Sequence, residues 1–96
     1  ASLAVAEQGW ARADQARLYA GSSLLLAGRA GDARALLRSA SLSALAPVRE
    51  PALWQLAQAE LSLGQIEAAR STLEALQASP VYGERAAELL ADLPSR

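Results

Sequence analysis

Leu53 to Leu76, LWQLAQAELSLGQIEAARSTLEAL, is the stretch on which the reading of the whole chain turns. Its first half, with Ala52 just ahead, places Ala52, Leu56, Ala59 and Leu63 at i, i+4, i+7 and i+11. That is one face of a helix of 3.6 residues per turn. Its second half repeats the device with Ile66, Ala69, Leu73 and Leu76 at i, i+3, i+7 and i+10. Between them Leu63-Gly64-Gln65 reverses the chain, and Gly64 carries no Cβ to oppose a positive φ. The stretch predicts a helical hairpin with an apolar interior.

Upstream, the same pattern returns at an offset of 64 − 28 = 36 residues, Gly28 falling on Gly64. Ala33 then falls on Ala69, Leu37 on Leu73, Ala40 on Leu76, Leu18 on Trp54 and Gly21 on Ala57. The exceptions are Arg17 against Leu53 and Leu24 against Glu60. A hairpin with one apolar face cannot bury it alone, so a repeated hairpin predicts a stack of them.

The rest of the chain falls around these units. Residues 1–9 read as the tail of an upstream helix interrupted at Gly9, and residues 11–40 as the first hairpin, with Ala13, Ala16, Ala20 and Ala27 along one face. Residues 41–47 form a connector and residues 48–78 the second hairpin, starting between Pro47 and Pro51. Asp32 falls in the first turn of its helix, where an acidic side chain suits the free N–H groups. Ser79-Pro80 reads as an N-cap with proline in the first turn of a closing helix over 80–93. Its apolar stripe is Tyr82, Ala86, Leu89 and Leu93, and Pro94 ends it. The expected fold is a single all-α domain of two helix hairpins and a C-terminal capping helix.

Composition narrows the function. The 96 residues are 52% hydrophobic, with no Phe, so the core must be built from close approach of Ala and Leu. The net charge of −1 provides no basic surplus for nucleic acid. Cysteine and histidine are both absent, which removes disulfides, thiol nucleophiles, imidazole acid–base chemistry and the usual zinc ligand sets. No glycine-rich phosphate loop accompanies the carboxylates. The expectation is a non-enzymatic domain with no catalytic residue, no cofactor and no metal. No run of residues approaches the roughly 20 apolar positions of a membrane span, so direct membrane insertion of this segment is not expected.

In a stack of hairpins the first helices line a concave groove. Phase assigns Leu18, Ser22 and Leu25 of the first hairpin, and Trp54, Gln58 and Leu61 of the second, to that partner-binding groove. Trp54 combines a large apolar surface with one N–H donor and is the strongest candidate; its plainer alternative is packing between hairpins. Trp10 and Tyr19 are weaker versions of the same choice. Glu60, next to the apolar stripe, is expected to pair with a cation such as Arg17 or to lie at an exposed margin, because an unpaired buried carboxylate is costly. Leu3 and Val5 read as the remnant of a cover over the N-terminal end, so the fragment is expected to continue upstream and to self-associate through that end.

LxxLA at Leu53–Ala57, followed by Gly64, Ala69, Leu73, Leu76 and Pro80, resembles the tetratricopeptide-repeat superfamily. The upstream copy matches at Gly21, Gly28, Ala33, Leu37 and Ala40. The resemblance covers about residues 11–80 and implies a right-handed helical-repeat array that binds a protein or peptide. Two features depart from the family: an offset of 64 − 28 = 36 residues against its usual unit of about 34, and Glu60 where the family keeps a large buried residue. A narrower likeness lies in ARLYAGSSLLLAGR, LAQAELSLGQIEAARSTLEAL and YGERAAELLADL. These resemble the C-terminal part of bacterial membrane-tethered periplasmic proteins that accompany the Sec translocon. That likeness implies a scaffold or chaperone-like role in the envelope, with an inner-membrane anchor upstream. The alternatives are a soluble cytosolic adaptor that binds a peptide in its groove and, more remotely, a helical domain of an enzyme.

Overall fold

A computed structural model of the chain describes the backbone of residues 2–94 and the side chains of residues 12–94. Five helices make up the described part, with no strand among the described residues: α1 (Ser2–Leu26), α2 (Ala30–Ala40), α3 (Ala46–Ser62), α4 (Ile66–Leu76) and α5 (Gly83–Asp92). The fold is all-α. The helices pack as α1 against α2, α2 against α3, α3 against α4 and α4 against α5, with α1 and α3 also touching. The molecule is elongated, 52 × 28 × 17 Å.

The two tight reversals are alike in detail. Gly28 and Gly64 have φ of 80° and 75°, the left-handed region that a side chain resists. Behind Gly28 the N–H of Arg29 donates to the carbonyl of Leu24 at 2.9 Å; behind Gly64 the N–H of Gln65 donates to that of Glu60 at 2.8 Å. Each turn therefore satisfies carbonyls that a helix end leaves orphaned. Each then opens into an 11-residue helix. The buried faces of those helices are Ala33, Leu37 and Ala40 in α2, and Ala69, Leu73 and Leu76 in α4. The alanines allow the close crossing: Ala33, Ala40 and Ala69 are all wholly buried, so a larger side chain at any of them would overpack it.

Several boundaries differ from the sequence reading. α1 runs through Gly9 without a break. A mid-helix glycine costs only about 0.5–1 kcal/mol relative to alanine, and the alanine-rich flanks absorb it. α3 starts at Ala46, ahead of Pro47 rather than between the two prolines, with Pro51 inside it. Pro47 sits where no helical N–H is needed, while Pro51 deprives the Pro47 carbonyl of its helical donor. The connector is tied to the helix start by other carbonyls. The N–H groups of Val48 and Arg49 both donate to the Leu45 carbonyl, and the Arg49 guanidinium donates to the carbonyls of Ser43 and Ala44.

Regular α5 begins at Gly83, not at Pro80. Ser79 still acts as a cap, since its Oγ accepts the N–H groups of Val81 and Tyr82 at 3.2 and 3.1 Å. The same hydroxyl donates to Glu50 Oε1 at 2.6 Å and so ties this turn to the start of α3. At its far end, α5 is held by Arg70, whose Nη2 donates to the Pro94 carbonyl at 2.7 Å. Ala86 is wholly buried, with Tyr82, Leu89 and Leu93 half-buried around it.

Burial on α1 also departs from expectation. Ala13 is half-buried, and Ala16, Ala20 and Ala27 are exposed. The inward face is carried by Leu18 and Gly21. A Cβ at Gly21 would lie 2.7 Å from Cγ and Cδ2 of Leu37, so the missing side chain sets how closely α1 approaches α2. Ala52 and Leu56, which the offset matches to Ala16 and Ala20, are buried in the core that α2 and α3 share. The difference is positional: α3 has a helix on either side, whereas α1 has none against its outer face among the described residues.

Candidate functional site

Helices α1 and α3 approach one another along one side of the molecule and leave a shallow pocket there. Ser22, Leu25 and Leu26 of α1 and Trp54, Gln55 and Gln58 of α3 line it. Both helices contribute through positions on a common face, one turn or less apart. Leu26 projects almost entirely into solvent, 90% exposed, while Leu25 is half-buried against the core of the first hairpin. The cavity of about 250 Å³ falls below the roughly 300–1,000 Å³ of pockets that enclose a drug-sized molecule. It is large enough for a side chain or two.

Four of the six residues assigned to the groove by phase meet here: Ser22, Leu25, Trp54 and Gln58. Leu18 does not. It is 9% exposed and faces inward with Ala33, Leu37 and Ala40. Leu61 is half-buried and lies outside the pocket lining. Leu26 and Gln55 take their places, one position beyond the i, i+4, i+7 ladder that selected the original set. Tyr19 is 68% exposed and does not line the pocket. The side chains of Leu3 and Val5, with the N-terminal cover they suggested, and the side chain of Trp10 lie outside the described residues.

Trp54 has two roles in this geometry. It lines the pocket, and its ring also stacks with Tyr82 at 6.0 Å between centroids and 27° between planes. The pair links α3 to the start of the closing helix. Across the pocket floor, the Ser22 hydroxyl is hydrogen-bonded to Gln55 Oε1, with the Leu18 carbonyl a second acceptor at 2.8 Å. This is the one side-chain hydrogen bond between α1 and α3 among the described residues, and it holds the Gln55 carboxamide in place.

Among the described residues no charged side chain lines the pocket. Glu60, the charge that stood out in the sequence, lies elsewhere and is neither marginal nor paired with Arg17. It is 2% exposed, between α3 and α4, and Oε1 accepts a hydrogen bond of 2.7 Å from the Thr72 hydroxyl. Arg17 instead faces solvent and meets Asp14 at 3.3 Å within its own helix. Glu60 turns inward because its place on α3 faces α4, and Thr72 supplies the donor that makes burial tolerable. Sequence offered a signal that was passed over: residue 36, which is 72 − 36, is a leucine where the second hairpin carries Thr72. The two polar exceptions fall on facing helices.

Among the described residues no group of three or more His, Cys, Asp or Glu side chains could hold a metal ion. Nor is any described helix long and apolar enough to cross a membrane. No protein-family model, curated protein or solved structure matches the chain.

Proposed function

We propose that this domain is a non-enzymatic protein-interaction module of the tetratricopeptide-like kind, with α1–α2 and α3–α4 as successive repeats and α5 as the cap. The like turns at Gly28 and Gly64, and the equal helices that follow them, support the repeat reading. The observation that carries the binding reading is the uncharged pocket between α1 and α3, which places the Trp54 ring beside a protruding Leu26. An apolar cleft with a few polar groups and no titratable pair is suited to hold a peptide, not to transform a substrate.

The test is a selection of peptide ligands from a random library against the 96-residue domain, followed by affinity measurements on variants. Trp54→Ala and Leu25→Ser should each weaken the selected ligands at least tenfold. Leu42→Ser, at an exposed site outside the pocket, should leave them unchanged. Ligands that survive Trp54→Ala but not Leu42→Ser would move the binding surface to another edge. The cellular setting proposed is the bacterial envelope, as a scaffold or chaperone-like module tethered by an upstream segment. It rests on the narrower family likeness alone, and a parent reading frame with no apolar run of about 20 residues upstream would leave a cytosolic adaptor instead.

A further inference from the structure

We infer that the groove selects uncharged, extended peptide segments, taking one apolar side chain over Trp54 and Leu25 and pairing the ligand main chain with the carboxamides of Gln55 and Gln58. This rests on the peptide-binding reading above and names its ligand class. The first ground is the lining itself: three apolar side chains, two carboxamides and one hydroxyl, with no ionic group among the described residues. A ligand carboxylate or ammonium entering it would give up hydration and meet no counter-charge, a cost that a neutral side chain avoids.

The second ground is the state of the amides. A carboxamide carries the same donor and acceptor set as a peptide unit. Gln55 is anchored by Ser22. Whichever way its carboxamide is turned, at least one N–H stays free to donate, because Ser22 Oγ can occupy only one of its groups. Gln58 and the Trp54 indole N–H have no hydrogen-bond partner among the described residues, yet both line the pocket. Gln55 and Gln58 stand one helical turn apart, about 4.5 Å along the axis at 1.5 Å per residue. Carbonyls on one side of an extended strand recur about every 6.6 Å, at about 3.3 Å per residue, so the two flexible glutamine side chains have to splay to reach them. An extended main chain has carbonyls to offer, whereas a ligand that is already helical has used most of its own. The cavity volume agrees, admitting a side chain and not a whole folded segment.

The experiment uses the 96-residue domain labelled with nitrogen-15. The Trp54 indole N–H and the side-chain NH2 groups of Gln55 and Gln58 give separate resonances. Four end-blocked serine-glycine host peptides are titrated, carrying a single central leucine, alanine, glutamate or lysine. The leucine peptide should shift all three sets of resonances. Glutamate and lysine peptides should bind at least tenfold more weakly, and alanine should lie between. Gln55→Leu should weaken the leucine peptide about threefold to tenfold by removing one hydrogen-bonding partner. If the charged peptides bind as well as leucine does, the selectivity inferred here is wrong while the groove stands. If a helix-stabilised version binds better than the flexible one, the extended conformation is wrong. If no peptide moves any of the three resonances at millimolar concentration, the groove reading falls and takes this inference with it.

Discussion

The Thr72 hydroxyl donates to the buried carboxyl group of Glu60 at 2.7 Å, joining α4 to α3 at the two places where the first hairpin has Leu36 and Leu24. One hairpin thus holds a polar pair where the other holds an apolar one. Thr72→Val should leave Glu60 without its side-chain donor and lower stability by about 1–3 kcal/mol. Replacing both, Glu60→Leu with Thr72→Leu, should restore or exceed the parent stability, because a well-packed apolar pair avoids the desolvation cost. Urea unfolding of the two singles and the double decides this. A harmless Thr72→Val would mean that Glu60 draws its support from elsewhere.

Gly83 and Gly31 differ in what a side chain would meet. A Cβ at Gly83 would lie 2.5 Å from the Gln77 carbonyl oxygen, a backbone atom that cannot step aside cheaply. Gly83→Ala should therefore cost about 1–3 kcal/mol through overpacking. At Gly31, inside α2, a Cβ would meet nothing within 4 Å, and its φ is not positive. Gly31→Ala should stabilise by about 0.4–1 kcal/mol through reduced unfolded-state freedom. Opposite shifts of the thermal midpoint are the expected outcome, and equal shifts would contradict the packing described at Gly83.

Ser79 caps its own turn and binds Glu50 with one hydroxyl. Ser79→Ala should cost about 0.5–2 kcal/mol, the range for losing an N-cap, with the Glu50 contact placing it toward the upper end. Ser79→Asp separates the two roles. It can accept the N–H groups of Val81 and Tyr82 but sets a second carboxyl group against Glu50. If Ser79→Asp proves as stable as the parent, the Glu50 tie contributes nothing.

Trp54 and Tyr82 stack at 6.0 Å, and such pairs contribute about 0.5–1.5 kcal/mol beyond burial. A double-mutant cycle with Trp54→Leu and Tyr82→Leu should return a coupling of about that size. Tyr82→Leu alone should leave binding to the pocket within a few-fold of the parent, because Tyr82 does not line it. A large loss of ligand binding in Tyr82→Leu would show that the ring holds Trp54 in its binding pose.

Sequence made the buried faces of α2 and α4 legible, because a 3.6-residue apolar rhythm there meets a glycine at each reversal. Proline and glycine misled where they were treated as punctuation. Gly9 sits inside α1, and α3 begins ahead of Pro47 instead of after it, since neither residue forbids a helix at those places. The alanine face of α1 could not be placed, because burial depends on what lies outside a helix as well as on its own rhythm. Four of the six residues that phase assigned to a groove line the pocket, and Gln55 and Leu26 line it as well because it is wider than a single ladder of positions. Gly83 is different again: its need arises from contact with Gln77, which no local pattern encodes.

The elongated 52 × 28 × 17 Å layout has a dynamic consequence. Each helix packs mainly on its chain neighbours, and α5 rests chiefly on α4, steadied by Trp54, Glu50 and Arg70. Opening should therefore proceed by stages along the axis instead of all at once. α5 can peel away while the α2–α3 core, which has a helix on either side, stays closed. Amide hydrogen exchange should record this as a gradient, with α5 exchanging first and the buried turns of α2 and α3 last. A partner seated between α1 and α3 would slow exchange in the middle of the molecule and leave the α5 end free to breathe.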